Sequence, residues 1–185
     1  MEHGKAEQVL RRIEGSRRRW YLPIIGREKG TVLADVVRRF KPKLILEVGT
    51  LVGYSAILMG REMDDDAELI TIEIDEDEAE SARENIREAG LGASIRVLVG
   101  DALELIPTVN GEIDMVFLDA AKHEYLNYLM LVEDRLHTGS VVVADNVGSF
   151  HRSMGGYLDY VRNSGKYDSE HKLVGWDGVE ISVKL

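Results

Sequence analysis

The stretch Leu44-Ile-Leu-Glu-Val-Gly-Thr-Leu-Val-Gly-Tyr-Ser55 indicates the fold, because an apolar run gives way to a helical pattern across two glycines. Its first five residues predict a buried β-strand, and Tyr54 begins the helical pattern. The glycines allow a tight turn and close approach of a ligand to the backbone. Their Gly-x-x-x-Gly spacing is not that of the dinucleotide fingerprint, which seats a pyrophosphate on a helix N-terminus. A ligand with a positive charge and no phosphate fits this loop better, since Glu47 precedes it.

The same strand-then-helix pattern recurs along the chain. Apolar runs alternate with helical stretches that begin near Tyr54, Glu76, Ala102 and Lys122. This alternation predicts an α/β fold with a parallel sheet covered by helices on both faces. The predicted strands are Leu44–Val48, Leu69–Ile74, Ile95–Val99, Ile113–Leu118 and Val141–Ala144.

Segments on both sides of this alternating region are also predicted to be ordered. One amphipathic helix is expected over about residues 3 to 19, and a second carries the run Thr31–Val37 and stops at Lys41-Pro42. After the fifth strand, a helix is predicted around Tyr157–Asn163. The last residues predict a β-hairpin that turns at Asp177-Gly178.

Composition narrows the class of protein. The 185 residues, 44% of them hydrophobic, suit one domain with a buried core, and the charged N-terminus lacks the apolar stretch of a signal peptide. We therefore expect a soluble, cytoplasmic protein. The absence of cysteine excludes thiolate metal sites and cysteine nucleophiles, so any metal must have oxygen or imidazole ligands. A net charge of −10 disfavours nucleic acid as a partner.

Acidic residues follow the second and third predicted strands, at the edge where open parallel sheets bind ligands. Glu73 comes about where nucleotide-binding folds hold a ribose diol, and we interpret it as a ribose ligand. For Asp75 we favour the alternative interpretation, a cap on the helix that follows. Asp101 could contact an adenine amino group, cap its own helix, or do both.

The fourth and fifth strands end in residues that suit a metal. Asp119 follows the fourth strand, and Asp145 and Asn146 follow the fifth. Two carboxylates and an amide at neighbouring strand ends favour a hard cation such as Mg²⁺, although capping by Asp119 and a turn at Asp145-Asn146 are the alternatives. Lys122, three residues after Asp119, would face the same site unless it is simply solvated.

Together these motifs resemble the catechol O-methyltransferase family of small, metal-dependent S-adenosylmethionine O-methyltransferases, over roughly residues 20 to 184. Gly26–Gly30 is similar to the family's segment before its second helix, and Asp177–Glu180 to its final strand. The remaining matching motifs are Glu47–Ser55, Leu69–Ile74, Met115–Asp119, Lys122 and Ala144–Val147.

The resemblance implies a Rossmann-like class I methyltransferase fold, with a mostly parallel seven-stranded sheet whose C-terminal strand is antiparallel. It implies one domain over residues 1–185, with N-terminal helices at 1–40 and the catalytic core at 41–185. It also implies that Lys122 is the general base and that Lys122, Asn146 and Glu180 contact the acceptor. The implied Mg²⁺ ligands are Asp119, Asp145 and Asn146, and the implied S-adenosylmethionine contacts are Ile25, Glu47, Gly49, Ser55, Glu73, Asp101, Ala102 and Asp119.

Two departures from the family limit what the resemblance implies about the acceptor. Ala120-Ala121 stands where the animal enzyme has a histidine and then a tryptophan, as in the family's small prokaryotic members, so a more open substrate mouth is expected. Val147–Gly156 should border that mouth and matches no substrate loop that we can interpret.

Three functions follow from these observations. The first is methylation of a hydroxyl on a small catechol-like diol chelated by the metal. The second is methylation of 5-hydroxyuridine at a tRNA wobble position, with the Arg11–Arg19 cluster binding phosphate; otherwise these arginines lie on a solvated helix face or at a contact between two copies of the chain. The third is a non-catalytic cofactor-binding module, which would need neither Lys122 nor three metal ligands.

Overall fold

A computed structural model describes residues 2–16 and 22–185 of the chain. Within these residues, seven strands form one sheet in the order β3-β2-β1-β4-β5-β7-β6, and β7 alone runs antiparallel to the rest. The predicted mostly parallel sheet with an antiparallel C-terminal strand is thus confirmed. The strands are β1 (Leu44–Val48), β2 (Glu68–Glu73), β3 (Ser94–Val99), β4 (Ile113–Leu118), β5 (Leu136–Asp145), β6 (Tyr167–Val174) and β7 (Asp177–Lys184).

Helices cover both faces of the sheet, because alternate strand residues point to opposite sides and are buried on both. Ile45 packs with the cluster that includes α1 to α4, and Leu46 packs with α5 to α7. Within the described residues the helices are α1 (Glu2–Ser16), α2 (Gly26–Phe40), α3 (Tyr54–Gly60), α4 (Glu76–Ala89), α5 (Ala102–Leu105), α6 (Tyr125–Val132) and α7 (Gly155–Asn163). None of the helices in this part of the chain is long and apolar enough to cross a membrane.

Local signals in the sequence explain where several helices begin and end. Asp75 caps α4 by accepting a hydrogen bond from the backbone N–H of Glu78 at 3.0 Å, which confirms the capping interpretation. Gly90 ends that helix in the left-handed conformation. Asp101 caps α5 in the same way, through the N–H of Leu103 at 2.8 Å.

The predicted and observed boundaries differ most at three places. The segment from Gly26 to Gly30 forms the first turn of α2 rather than preceding it. Lys122 begins a single 3₁₀ turn, and the α-helix starts at Tyr125. The strand β5 starts at Leu136 instead of Val141, because Leu136 pairs with Ile113 of β4 before a shift in register, although the residues between are polar. The end of the first predicted helix, including Arg17 to Arg19, lies outside the described residues.

The C-terminal hairpin turns two residues earlier than predicted. Val174 pairs with Asp177, so Gly175 and Trp176 form the turn, and Asp177 is the first residue of β7. Gly175, with φ +62°, takes the first central position of this two-residue turn, where glycine is favoured. Asp177 consequently lies at the same edge of the sheet as the end of β5.

Candidate active site

The loop between β1 and α3 lies against the end of β4. The backbone N–H of Gly49 bonds the carbonyl of Ile72 at 3.0 Å, and the N–H of Asp119 bonds the carbonyl of Val48 at 2.9 Å. Gly49 has φ +99°, and a β-carbon at this position would collide with the carbonyl oxygen of Asp119. Glycine is therefore required here both for the backbone conformation and for the close approach of the two strand ends.

Glu73 holds this loop in place through its carboxylate. One oxygen accepts hydrogen bonds from the N–H groups of Thr50 and Leu51 at 3.1 and 2.7 Å. The other accepts from Ile74 and Asp75 at 2.9 and 3.1 Å. The side chain also lines the cleft described below. Glu73, which was predicted to contact a ribose, therefore also stabilises the β1–α3 loop, and its position in the sequence did not reveal this second role.

Glu47 lies beneath the same loop and is completely buried. Ser55 donates a hydrogen bond to one of its oxygens, whereas the other has no partner among the described residues. Burial raises the pKa of Glu47 to about 8, against the smaller opposing effects of Ser55 and Thr71. A buried acidic group with one unsatisfied oxygen can accept a hydrogen bond from a cationic or N–H-bearing ligand.

These elements border a cleft of about 250 Å³, close to the lower limit of roughly 300 Å³ for small-molecule sites. Five predicted cofactor residues line it together: Ile25, Gly49, Ser55, Glu73 and Asp119. Glu47 lies behind Ser55, while Asp101 and Ala102 lie outside the lining. Sequence reasoning missed the remaining lining residues, which are Pro23, Ile24, Thr50, Leu51, Tyr54, Ile74, Glu78, Ala120 and Ala121.

Asp119 and Lys122 meet at one end of this cleft. The ammonium of Lys122 lies 2.7 Å from Oδ1 of Asp119 and also donates to the hydroxyl of Tyr125 at 2.9 Å. Burial raises the pKa of Asp119 above its usual range, despite the opposing charge of Lys122. The 3₁₀ turn at Lys122 thus directs this lysine back toward the strand ends, as its spacing predicted.

Asp145 lies beside this pair but contacts a different lysine. Its Oδ1 is 2.6 Å from the ammonium of Lys29, on the first turn of α2, and Lys29 also contacts Oδ2 of Asp177 at 2.9 Å. Burial, followed by the nearby charge of Asp119, raises the pKa of Asp145 to about 6. Two carboxylates at adjacent strand ends therefore repel each other, and cations compensate for that repulsion.

The geometry of Asn146 suits a metal ligand. Its backbone has φ +64°, and its amide nitrogen donates to Oδ2 of Asp177 at 3.0 Å, which leaves the amide oxygen as the atom able to coordinate a cation. Within the described residues, no cluster of three or more acidic or histidine side chains could hold a metal ion. Asp119, Asp145 and the oxygen of Asn146 nevertheless form a set of hard oxygen donors that fits Mg²⁺.

Glu180, the predicted substrate contact, is not brought together with these groups. It pairs with Ala144 across β5 and β7, so its side chain points toward α7. There Arg162 binds both of its oxygens at 2.7 Å, and Glu180 is only 1% exposed. A contact between Glu180 and an acceptor stays a prediction.

Three residues near the site were given no role from the sequence: Lys29, Tyr125 and Asp177. Lys29 and Asp177 both fall in segments quoted for their family resemblance. Lys29 could have been noticed in the sequence because it is a charged residue on the mostly buried face of α2. No periodicity marks Asp177, because its contacts are to residues far away in the chain.

Comparison with known proteins agrees with this fold. The family model described as O-methyltransferase matches residues 4–153. The chain is 34% identical over 177 residues to catechol O-methyltransferase of Mus musculus, which covers 91% of this chain and 66% of that protein. It is 36% identical over 154 residues to catechol O-methyltransferase of Sus scrofa, and this match covers 80% of this chain and 82% of that protein. The chain thus spans slightly less than two thirds of the length of the mouse relative.

A solved structure shows the same architecture. The O-methyltransferase TomG from Streptomyces achromogenes, involved in tomaymycin synthesis and determined in complex with S-adenosylmethionine, superposes with a TM-score of 0.84 at 28% identity. The match covers 95% of this chain and 89% of that one. The fold is the Rossmann-like fold of class I methyltransferases, and the resemblance inferred from the motifs is confirmed: the chain belongs to the O-methyltransferase family.

Proposed function

We propose that this chain is an S-adenosylmethionine-dependent O-methyltransferase that uses a divalent cation and methylates one hydroxyl of a catechol-like diol. The observation that carries the proposal is the position of Asp119. This residue lines the cleft, and its carboxylate lies 2.7 Å from the ammonium of Lys122. The proposed cofactor cleft and the proposed catalytic lysine are therefore adjacent. A non-catalytic module would not need this arrangement.

The charge of the cleft supports S-adenosylmethionine as the cofactor. Among its described lining residues are Glu73, Glu78 and Asp119, and none of the residues lining it is a lysine or arginine. A sulfonium and an ammonium suit such a lining, whereas a pyrophosphate would be repelled. Glu73 can accept hydrogen bonds from ribose hydroxyls, and Ser55, which donates to the buried Glu47, lines the same cleft.

Asp119, Asp145 and Asn146 would hold the divalent cation. A bound Mg²⁺ supplies Lewis acidity, which favours ionisation of an acceptor hydroxyl. The closeness of the Asp119 and Asp145 carboxylates supports this assignment, since a divalent cation can be bound by both at once, whereas Lys122 and Lys29 each contact only one of them.

Lys122 is the proposed acceptor of the hydroxyl proton, and it acts as the neutral amine, after its ammonium has released a proton to solvent. As the oxygen bonds to the methyl carbon, the carbon–sulfur bond breaks and leaves a neutral thioether, while the proton passes to the lysine amine. Tyr125 orients that amine through its 2.9 Å hydrogen bond. Holding the acceptor in line with the methyl group supplies much of the remaining rate acceleration.

A small hydroxylated aromatic acceptor fits better than tRNA. The net charge is −10, and the two described arginines of the N-terminal cluster already have acidic partners. Arg11 pairs with Glu7 at 2.8 Å, and Arg12 pairs with Glu88 at 2.6 Å. These pairs support a solvated helix face over a phosphate-binding surface.

Incubation with methyl-labelled S-adenosylmethionine tests the proposal, with a panel of catechols in one set of reactions and bulk tRNA in another. We expect transfer to catechols in the presence of Mg²⁺ and its loss after treatment with a chelator. Re-addition of Mg²⁺ should restore the activity. Turnover that survives chelation would refute the use of a metal, and label recovered only in tRNA would refute the small-molecule acceptor.

A further inference from the structure

Asp177 is a point of contact for several elements beside the acidic site. Its Oδ2 accepts hydrogen bonds from Lys29 of α2 at 2.9 Å and from the amide of Asn146 at 3.0 Å. Its Oδ1 accepts from the backbone N–H groups of Gly148 and Ser149 at 3.1 and 3.0 Å. All four donors face one carboxylate that is 6% exposed.

This arrangement fixes the orientation of the Asn146 side chain. A carboxylate only accepts hydrogen bonds, so the amide of Asn146 must turn its nitrogen toward Asp177 and its oxygen away. The left-handed backbone of Asn146, with φ +64°, directs the side chain into this contact. The amide oxygen therefore faces away from Asp177 and is the side-chain atom that remains for a cation.

We propose that Asp177 is a positioning residue that orients the amide oxygen of Asn146 for the divalent cation. This inference rests on the proposed function, since it presupposes that Asn146 is a ligand. Asp177 is not itself among the proposed ligands, because its carboxylate is already occupied by four donors. Residues that orient metal ligands in this way commonly change metal affinity by roughly 10- to 100-fold when they are replaced.

Lys29 separates this role from a general loosening of the contacts around Asp177. Its ammonium contacts both Asp145 and Asp177, so Lys29→Met removes a positive charge beside a proposed ligand while leaving the bond between Asn146 and Asp177 in place. If orientation of the amide matters, Lys29→Met should leave metal affinity unchanged or increase it. Asp177→Asn should have the opposite effect. Its new carboxamide can donate, and Asn146 can then turn its oxygen toward residue 177 and away from the metal.

Titration with Mn²⁺, followed by electron paramagnetic resonance on the full chain with S-adenosylmethionine present, measures metal affinity without turnover. We expect Asp177→Asn to weaken Mn²⁺ binding about 10- to 100-fold, with S-adenosylmethionine affinity unchanged. Asp114→Asn is a matched control at the opposite end of the sheet. Asp114 also accepts from two backbone N–H groups, those of Lys43 and Leu44, and pairs with His137.

Asp177→Asn can also be compared in a chain that already carries Asn146→Asp, so that the test stays decisive even when Asp177→Asn loosens the loop that contains Gly148 and Ser149. In Asn146→Asp both side-chain oxygens are equivalent, so Asp177→Asn should no longer weaken Mn²⁺ binding. Equal Mn²⁺ affinity for Asp177→Asn and the unsubstituted chain would overturn the inference alone. Equal weakening by Lys29→Met and Asp177→Asn would overturn it in favour of a general loosening of these contacts, and a weakening by Asp177→Asn that persists in Asn146→Asp would overturn it in favour of a charge effect. No Mn²⁺ binding by the unsubstituted chain would overturn the proposed metal site and the inference with it.

Discussion

Lys122 is held from two sides, by Asp119 at 2.7 Å and by the hydroxyl of Tyr125 at 2.9 Å. An exposed lysine can also pair with acidic groups, as Lys43 does with Asp64 and Asp66, but the side chain of Lys122 is only 17% exposed. At the scale of single residues, this partly buried contact supports the proposed role of Lys122 as the general base.

Lys122→Ala is therefore expected to slow methyl transfer about 10²- to 10⁴-fold, the usual effect of losing a general base. Affinity for S-adenosylmethionine should stay nearly unchanged, because the lysine acts on the acceptor proton. Steady-state kinetics with the true acceptor and calorimetry with the cofactor measure the two effects. Lys43→Ala, which removes an exposed lysine paired with Asp64 and Asp66, is the control. Unchanged turnover would mean that Lys122 is not the base.

Glu73→Ala should weaken binding of S-adenosylmethionine by about 1.5–3 kcal/mol, the range for a hydrogen bond to a charged group. Because the carboxylate also accepts from Thr50 and Leu51, the variant should lose stability as well. Asp75→Ala is the comparison, since it removes only a helix cap, at a cost of about 1 kcal/mol of stability. Calorimetry and urea unfolding of both variants distinguish the two roles. Equal cofactor affinity in Glu73→Ala and the unsubstituted chain would contradict a ribose contact.

At the scale of elements, the β1–α3 loop depends on how closely two strand ends approach each other. Gly49 at φ +99° lies against the carbonyl of Asp119, whereas Gly139 at φ +95° has no atom within 4 Å of where its β-carbon would be. The two glycines therefore share a backbone conformation, but only Gly49 is in close contact with another part of the chain. Substituting each of them by alanine separates the cost of backbone strain from the cost of steric collision.

Gly139→Ala should cost only the strain of the left-handed conformation, about 1–2 kcal/mol. Gly49→Ala should cost more, because the new methyl group pushes the loop away from Asp119. We expect loss of S-adenosylmethionine binding for Gly49→Ala alone. Thermal unfolding and calorimetry on the two variants test this expectation, and equal cofactor affinity for both would show that the close approach has no part in binding.

At the scale of the whole molecule, the buried carboxyl of Glu47 links stability to pH. Its pKa rises from 4.5 to about 8 on folding, so the folded chain keeps a proton that the unfolded chain releases in this interval. The resulting stabilisation is fully present below pH 4.5 and is lost progressively as the pH rises toward 8. Glutamine at this position would imitate the protonated form without titrating.

Glu47→Gln should therefore flatten part of the pH dependence of unfolding in the cofactor-free protein. Relative to the variant, the free energy of unfolding of the unsubstituted chain should fall steadily between pH 4.5 and 8. Urea unfolding at several pH values within this interval measures the difference. A difference that does not change with pH would show that Glu47 is already ionised in the folded chain.

The sequence by itself determined the order of the elements and most residues at the strand ends. Period-two and period-3.6 patterns and capping residues such as Asp75 act over a few positions, so they can be recognised without knowing the fold. The strand that ends at Val48 and the helix that begins at Tyr54 were predicted at their observed boundaries. The acidic groups Asp119 and Asp145 were predicted as neighbours because adjacent parallel strands end at one edge.

Only the tertiary structure decided which partner each of these charged groups has. Lys29 contacts Asp177, Asp177 contacts Asn146, and Arg162 binds Glu180 across separations from 18 to 148 residues. Such pairs follow from the strand order and from the face on which each side chain lies, and no local period encodes them. The hairpin turn was placed wrongly, since the pairing of Val174 in β6 with Asp177, rather than the Asp-Gly dipeptide, fixes where β7 begins.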